Sequence, residues 1–130
     1  KILLVEDDCL ISLINLKALD NFGFLSIHAS NGEEAIQFAE TSDFDLVLMD
    51  IDLGEGINGL EAACAIQKRK DVPILFLSSH QEHEIVEKAR CISRYGYVTK
   101  GSGLSVLRTS IEVALGFHES EKKVKQFLKK

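Results

Sequence analysis

Short, unbroken apolar runs alternate along this chain with longer stretches whose apolar residues fall at helical spacing, and that alternation restricts the fold more than any other feature. Ile2–Val5, Leu46–Met49 and Ile74–Leu77 contain no polar residue, as a strand buried on both faces requires. After the first run, Leu10, Ile11, Leu13, Ile14, Leu16 and Leu19 make a broad helical stripe that stops at Asn21 and Gly23. Phe24–Ala29 reads as a second strand, and Asn31 caps a helix through Ala35, Ile36 and Ala39. Leu60–Ile66 and Ile85–Ile92 read as helices and Gly96–Thr99 as a fifth strand. From Gly103 onward Leu104, Leu107, Ile111 and Ala114 recur at steps of three and four, the inward stripe of a last helix.

Parallel neighbours can be joined only by a long crossover, so strict alternation predicts an α/β fold with helices on both faces of the sheet. Right-handed crossovers leave few topologies. The common five-strand solution is the flavodoxin-like, doubly wound parallel sheet of order 2-1-3-4-5 with five helices, the last one here extended. A length of 130 residues, 45% hydrophobic and 27% charged, allows one core and excludes disorder or a disulfide scaffold. Three cysteines (Cys9, Cys64, Cys91) without a CxxC pair suit reduced thiols in the cytoplasm, and their helical positions suit small buried apolar residues. No apolar run approaches the ~20 residues that span a bilayer, and no secretory leader precedes Ile2, so neither a membrane span nor export is expected. Residues 1–115 carry 10 basic and 18 acidic side chains, against 5 and 2 in residues 116–130. An acidic body argues against nucleic acid as a direct ligand, since phosphate binding needs a basic face.

In such a sheet ligands bind outside the carboxyl ends of the strands, and those ends here are polar. Strand 1 ends in Glu6-Asp7-Asp8, strand 3 in Asp50, strand 4 in Ser78-Ser79 and strand 5 in Lys100. A nucleotide-binding relative would carry a glycine-rich loop after strand 1; an acidic one stands in its place. Carboxylates 4 Å apart repel by roughly 4 kcal/mol per pair at an effective dielectric of ~20, so the cluster calls for a cation. Oxygen ligands select Mg²⁺, or Mn²⁺ as a close relative. A carboxylate beside that metal can attack phosphorus, with Lys100 and Ser78 placed to hold phosphoryl oxygens.

The motifs ILLVEDD at the first strand, DLVLMDIDL followed by NGLEA, PILFLSSH at the fourth strand and GYVTK at the fifth resemble the receiver domain of two-component response regulators over residues 2 to about 115. That resemblance implies that Asp50 is the phosphoacceptor. It makes Glu6 and Asp7 the acidic pair, Asp7 a direct Mg²⁺ ligand with Glu6 acting indirectly, and the backbone carbonyl of Asp52 a further ligand. By the same likeness Lys100 binds phosphate, Ser78 is the switch hydroxyl, and Tyr97 is the aromatic that turns inward on activation. It implies a phosphorelay module that receives its phosphoryl group from a histidine kinase or phosphotransfer protein and assists only its own phosphorylation and hydrolysis.

The sequence departs from the family pattern in three places. Gly101 replaces the proline after the lysine, and a non-proline cis bond costs ~3 kcal/mol, so a trans bond or a strained loop is expected. Gly54-Glu55-Gly56 stands where a proline usually follows the phosphoacceptor, and Ser79 with His80 adds polar groups beside strand 4. A rival reading is a small Mg²⁺-dependent phosphatase with an aspartyl nucleophile, for which Asp52 fits as a second acid, but the chain has no cap insertion to build a pocket.

Other polar residues have plainer roles. Asp8 suits the cap of the first helix. Asp43 and Asp45 belong to a solvated loop on the opposite edge, and His80, Glu82 and His83 to a helix start rather than a metal site. Phe117, Val124 and Leu128 extend an apolar stripe past Gly116 with seven- and four-residue steps. A receiver unit of residues 1–115 is therefore expected to lead into a helical extension of residues 116–130, either a linker to another module or the seam of a homodimer.

Overall fold

The structure, a computed structural model, describes residues 1–54, 56–79, 83–93 and 95–128, without the side chains of residues 83, 84, 86 and 91. Strands β1 (Ile2–Val5), β2 (Ser26–Ala29), β3 (Leu46–Asp50), β4 (Ile74–Ser78) and β5 (Tyr97–Thr99) alternate with helices α1 (Cys9–Asn21), α2 (Gly32–Thr41), α3 (Gly59–Gln67), α4 (His83–Ile92) and α5 (Leu104–Leu128). All strand pairs are parallel, in the order β2-β1-β3-β4-β5. The three apolar runs are the central strands, and every residue of β1, β3 and β4 is buried.

Period-two alternation divides their side chains between two layers. Leu3, Val5, Val47, Met49, Ile74 and Phe76 point into the layer under α2, α3 and α4. Ile2, Leu4, Leu46, Leu48, Leu75 and Leu77 point into the layer under α1 and α5, where Leu19, Leu107, Ile111 and Ala114 meet them. Each such large side chain contributes roughly 1.5–3 kcal/mol by leaving water, so the strand ends that carry the polar residues stand on fully buried strands.

The helix caps form as expected. Asp8 accepts from the amides of Leu10 (2.9 Å) and Ile11 (3.0 Å), and Asn31 from that of Glu34 (2.8 Å). β2 begins at Ser26 rather than Phe24 because the Phe24 amide turns back to the Leu19 carbonyl at 3.0 Å to close α1. β5 begins at Tyr97 because Gly96 adopts φ +83°, outside strand geometry. α3 starts at Gly59, one residue early, behind a capping box made by Asn58 and Glu61. The bond after Lys100 is trans, there being no cis peptide among the described residues.

The cysteines correct the sequence reading: Cys9 and Cys64 are free and exposed, on the outward sides of their helices, and the side chain of Cys91 lies outside the described set. His80 and Glu82 lie outside the described residues as well, with the side chain of His83. Asp43, on the edge away from the acidic strand ends, is ion-paired with Lys70 at 2.9 Å rather than merely solvated. α5 continues without a break through Gly116, and Val113, Phe117, Val124, Phe127 and Leu128 remain exposed along it.

Candidate functional site

Parallel register brings the strand ends level: Val5 pairs with Met49, Asp50 with Leu77 and Ser78 with Thr99. The residues immediately following therefore converge. Glu6 and Asp50 are each 1% exposed, an expensive place for two carboxylates. One oxygen of each is held by an amide two residues on: Asp8 N donates to Glu6 Oε1 at 3.2 Å, and Asp52 N to Asp50 Oδ1 at 3.1 Å. The other oxygens, Glu6 Oε2 and Asp50 Oδ2, are buried without a hydrogen bond. They meet the Lys100 ammonium as ion pairs at 3.2 and 3.1 Å. Lys100 is positioned by its own backbone, whose amide donates to the Ser78 carbonyl at 2.9 Å and locks the end of β5 to the end of β4.

Burial, and then the charge of Glu6 beside it, push the Asp50 carboxyl up to about 7 despite the opposing pull of Lys100. Burial works against the charge of Lys100, but contact with Asp50 and the charge of Glu6 outweigh it and hold its pKa above the ordinary value. Asp7 is exposed and completes the cluster: one carboxylate oxygen from each of Glu6, Asp7 and Asp50 lies within 4.8 Å of the others. A hard divalent cation suits these donors, because two buried oxygens still lack a hydrogen bond and one ammonium must serve both.

Two glycines let the backbone come this close. A Cβ on Gly59 would stand 2.0 Å from the Asp50 carbonyl oxygen, since α3 starts directly against the end of β3 and the Gly59 amide bonds Ile51 O at 3.0 Å. A Cβ on Gly54, at φ +65°, would stand 2.8 Å from Asp7 Oδ2. These contacts give the NGLEA motif and the loosened loop after Asp50 a physical reason. One contact escaped the sequence reading: His28, at the end of β2, donates from Nε2 to the Glu6 carbonyl at 2.7 Å. Its only signal is a histidine near the end of an edge strand.

The other expected site residues divide. Ser78 is buried at the end of β4, beside the Lys100 backbone. Tyr97 is half-buried, paired in register with Phe76 and packed into the α2-α3-α4 layer rather than against the carboxylates. The side chain of Asp52 is exposed while its amide serves Asp50.

A family model described as the response regulator receiver domain matches residues 2–112. The chain belongs to the response-regulator receiver family. Among curated relatives, the receiver is 31% identical over 116 residues to the transcriptional regulatory protein PdtaR of Mycobacterium tuberculosis, covering 88% of this chain and 56% of that protein. It is 34% identical over 104 residues to the response regulator UvrY of Escherichia coli, covering 78% and 47%. The receiver thus spans about half the length of the curated relatives it matches. Among solved structures, the N-terminal domain of a response regulator/sensory box/GGDEF three-domain protein from Carboxydothermus hydrogenoformans superposes with a TM-score of 0.85 at 39% identity, covering 92% of this chain and 97% of that one. The response regulator TrrA of Thermotoga maritima, solved in complex with Mg²⁺ and BeF, gives 0.78 at 30% identity, covering 87% and 96%. No helix among the described residues is long and apolar enough to cross a membrane.

Proposed function

We propose that this receiver accepts a phosphoryl group on Asp50 from a phosphohistidine-bearing histidine kinase or phosphotransfer protein, and that the modification changes the face formed by α4, β5 and α5. The observation that carries the reading is the buried Asp50 carboxylate, 3.1 Å from Lys100 and within the Glu6–Asp7 cluster. Asp7 and Asp50, with the Asp52 carbonyl, would hold Mg²⁺ directly, and Glu6 would act on it from behind. Bound there, Mg²⁺ supplies counter-charge for the phosphoryl oxygens. In the transfer, an Asp50 carboxylate oxygen bonds to phosphorus as the phosphorus–nitrogen bond of the donor breaks. The electron pair of that bond stays on the imidazole, which takes up a proton. Lys100 then pairs with the phosphoryl oxygens in place of the bare carboxylate, and the Ser78 hydroxyl moves toward them. Tyr97 follows into the space behind, a two-state element biased by new charge.

A protein donor is favoured by the surface beside the site. Leu10, Leu13 and Ile14 are exposed on α1, and Ile11 and Ile14 share a groove with Lys100 and Leu104. The free thiols of Cys9 and Cys64 suit the cytoplasm. The exposed apolar stripe of α5 suits a homodimer seam, or a linker formed by residues 116–130 beyond a unit of residues 1–115. The phosphatase alternative is not favoured by the family match, and the domain acts only on its own phosphoryl group.

Acetyl phosphate with Mg²⁺ should add one phosphoryl group by intact mass, and Asp50→Asn should abolish it. Label that persists in that variant removes the reading.

A further inference from the structure

Two tyrosines flank a left-handed glycine at the start of β5, and they serve opposite layers of the molecule. Side chains two residues apart in a strand share a face. Gly96 at φ +83° breaks that rule, so Tyr97 packs into the α2-α3-α4 layer while Tyr95 packs into the α1-α5 layer. The Tyr95 hydroxyl there lies 2.9 Å from His118 Nδ1 and donates to Glu121 Oε1 at 3.3 Å. Its ring stands edge-on to Phe117 at 6.1 Å and to His118 at 5.9 Å. All three partners lie beyond Gly116, on the part of α5 that otherwise faces solvent, and His118 alone among residues 117–128 is buried.

Tyr95 is itself tied to the sheet. Its amide donates to Ser93 Oγ at 3.2 Å, and that hydroxyl donates to the Ile74 carbonyl at the start of β4. Tyr95 and Gly96 thus join the strand carrying Tyr97 to the extension of α5.

We propose that Tyr95 is a clasp which seats the α5 extension on the body and loosens when β5 changes state, so that phosphorylation at one end of the sheet is read at the other. The coupling rests on the phosphoacceptor reading of Asp50; the clasp itself does not. When Tyr97 moves inward behind Ser78, the Gly96 pivot draws the Tyr95 hydroxyl away from His118 and Glu121. The device is a positioning one and touches no reacting atom.

Hydrogen exchange by mass spectrometry on the 130-residue chain tests both halves. Tyr95→Phe keeps the ring and removes the hydroxyl, and should speed exchange of the amides at 117–121 about fivefold. His118→Gln should act in the same direction from the other partner. Unchanged exchange in both variants overturns the clasp. In the wild type, acetyl phosphate with Mg²⁺ should speed the same amides at least about twofold, and Tyr95→Phe should cancel that difference while intact mass still shows label on Asp50. Label without a change in exchange, or an unchanged difference in Tyr95→Phe, overturns the coupling. Absence of label takes down the phosphoacceptor reading and the coupling together, while the comparison of unphosphorylated variants still decides the clasp.

Discussion

Asp50→Asn is expected to stabilise the metal-free protein at alkaline pH, and the size of the gain follows from the site. The Asp50 carboxyl rises from its ordinary 3.8 to about 7 in the fold, which corresponds to roughly 4 kcal/mol at ~1.4 kcal/mol per pH unit. At pH 8 the group is ionised whether the chain is folded or unfolded, so folding carries the full cost of burying that charge beside Glu6. Below about 7 the folded form takes up a proton that the unfolded chain does not, and stability rises as pH falls until the unfolded group is protonated too. Asparagine keeps the shape and removes the charge, but it also leaves Lys100 with one carboxylate partner instead of two. The pull of Lys100 is already contained in that net shift, but the polar atoms of a buried amide also need partners, which halves the gain to ~2 kcal/mol at pH 8, or ~6–10 °C in Tm for a chain of this size. By pH 5.5 almost none of that gain should remain, because uptake of a proton by Asp50 in the wild-type fold recovers about 2 kcal/mol over the ~1.5 pH units below its raised pKa. Thermal unfolding followed by circular dichroism in EDTA, at pH 8 and 5.5, reads both numbers. No stabilisation at pH 8, or a gain that does not shrink on acidification, would refute the reasoning.

Mg²⁺ should raise the Tm of the wild type, because it binds the folded cluster and not the unfolded chain; Asp7→Asn should lose most of that rise, and equal rises would put the metal elsewhere. Gly59→Ala should cost at least about 2 kcal/mol in urea denaturation, since the added Cβ falls on the Asp50 carbonyl; a cost under about 0.5 kcal/mol would mean that α3 can back away from β3. Val113→Glu with Val124→Glu should abolish any self-association seen in sedimentation velocity. A wild type that stays monomeric with and without acetyl phosphate would leave only the linker role for the stripe.

Much of this was legible in the sequence because the central strands are buried on both faces, so that any polar residue at their ends stands out. Glu6, Asp7, Asp50 and Lys100 could be brought together from strand order alone, and Asp8 and Asn31 announced their helices by capping chemistry. Other features depend on helix phase and on contacts distant in sequence. Cys9 opens the first turn of α1 and Cys64 lies opposite the buried Ala62, Ala63 and Ile66, but Leu60–Ile66 is apolar on nearly every side, so the pattern does not define which face of α3 turns inward. Tyr95 and His118 meet across 23 positions, and parity along β5 would have sent Tyr95 to the wrong layer. Gly59 was visible within a motif, but only the approach of α3 to the Asp50 carbonyl shows why a side chain is forbidden there.

The unbroken run of α5 through Gly116 has a mechanical consequence. From Gly116 to Leu128 the helix reaches ~18 Å at 1.5 Å per residue, a stiff lever whose fulcrum is the Tyr95 contact. A tilt of ~10° there would swing the far end by ~3 Å, more than half the pitch of a helix turn. A displacement too small to disturb the core could thus become large enough at the tip to change which surfaces meet. Inserting one residue between Glu121 and Leu128 would leave the fulcrum in place yet rotate the tip by ~100°, so the direction of the stroke is set by residue count as much as by residue chemistry.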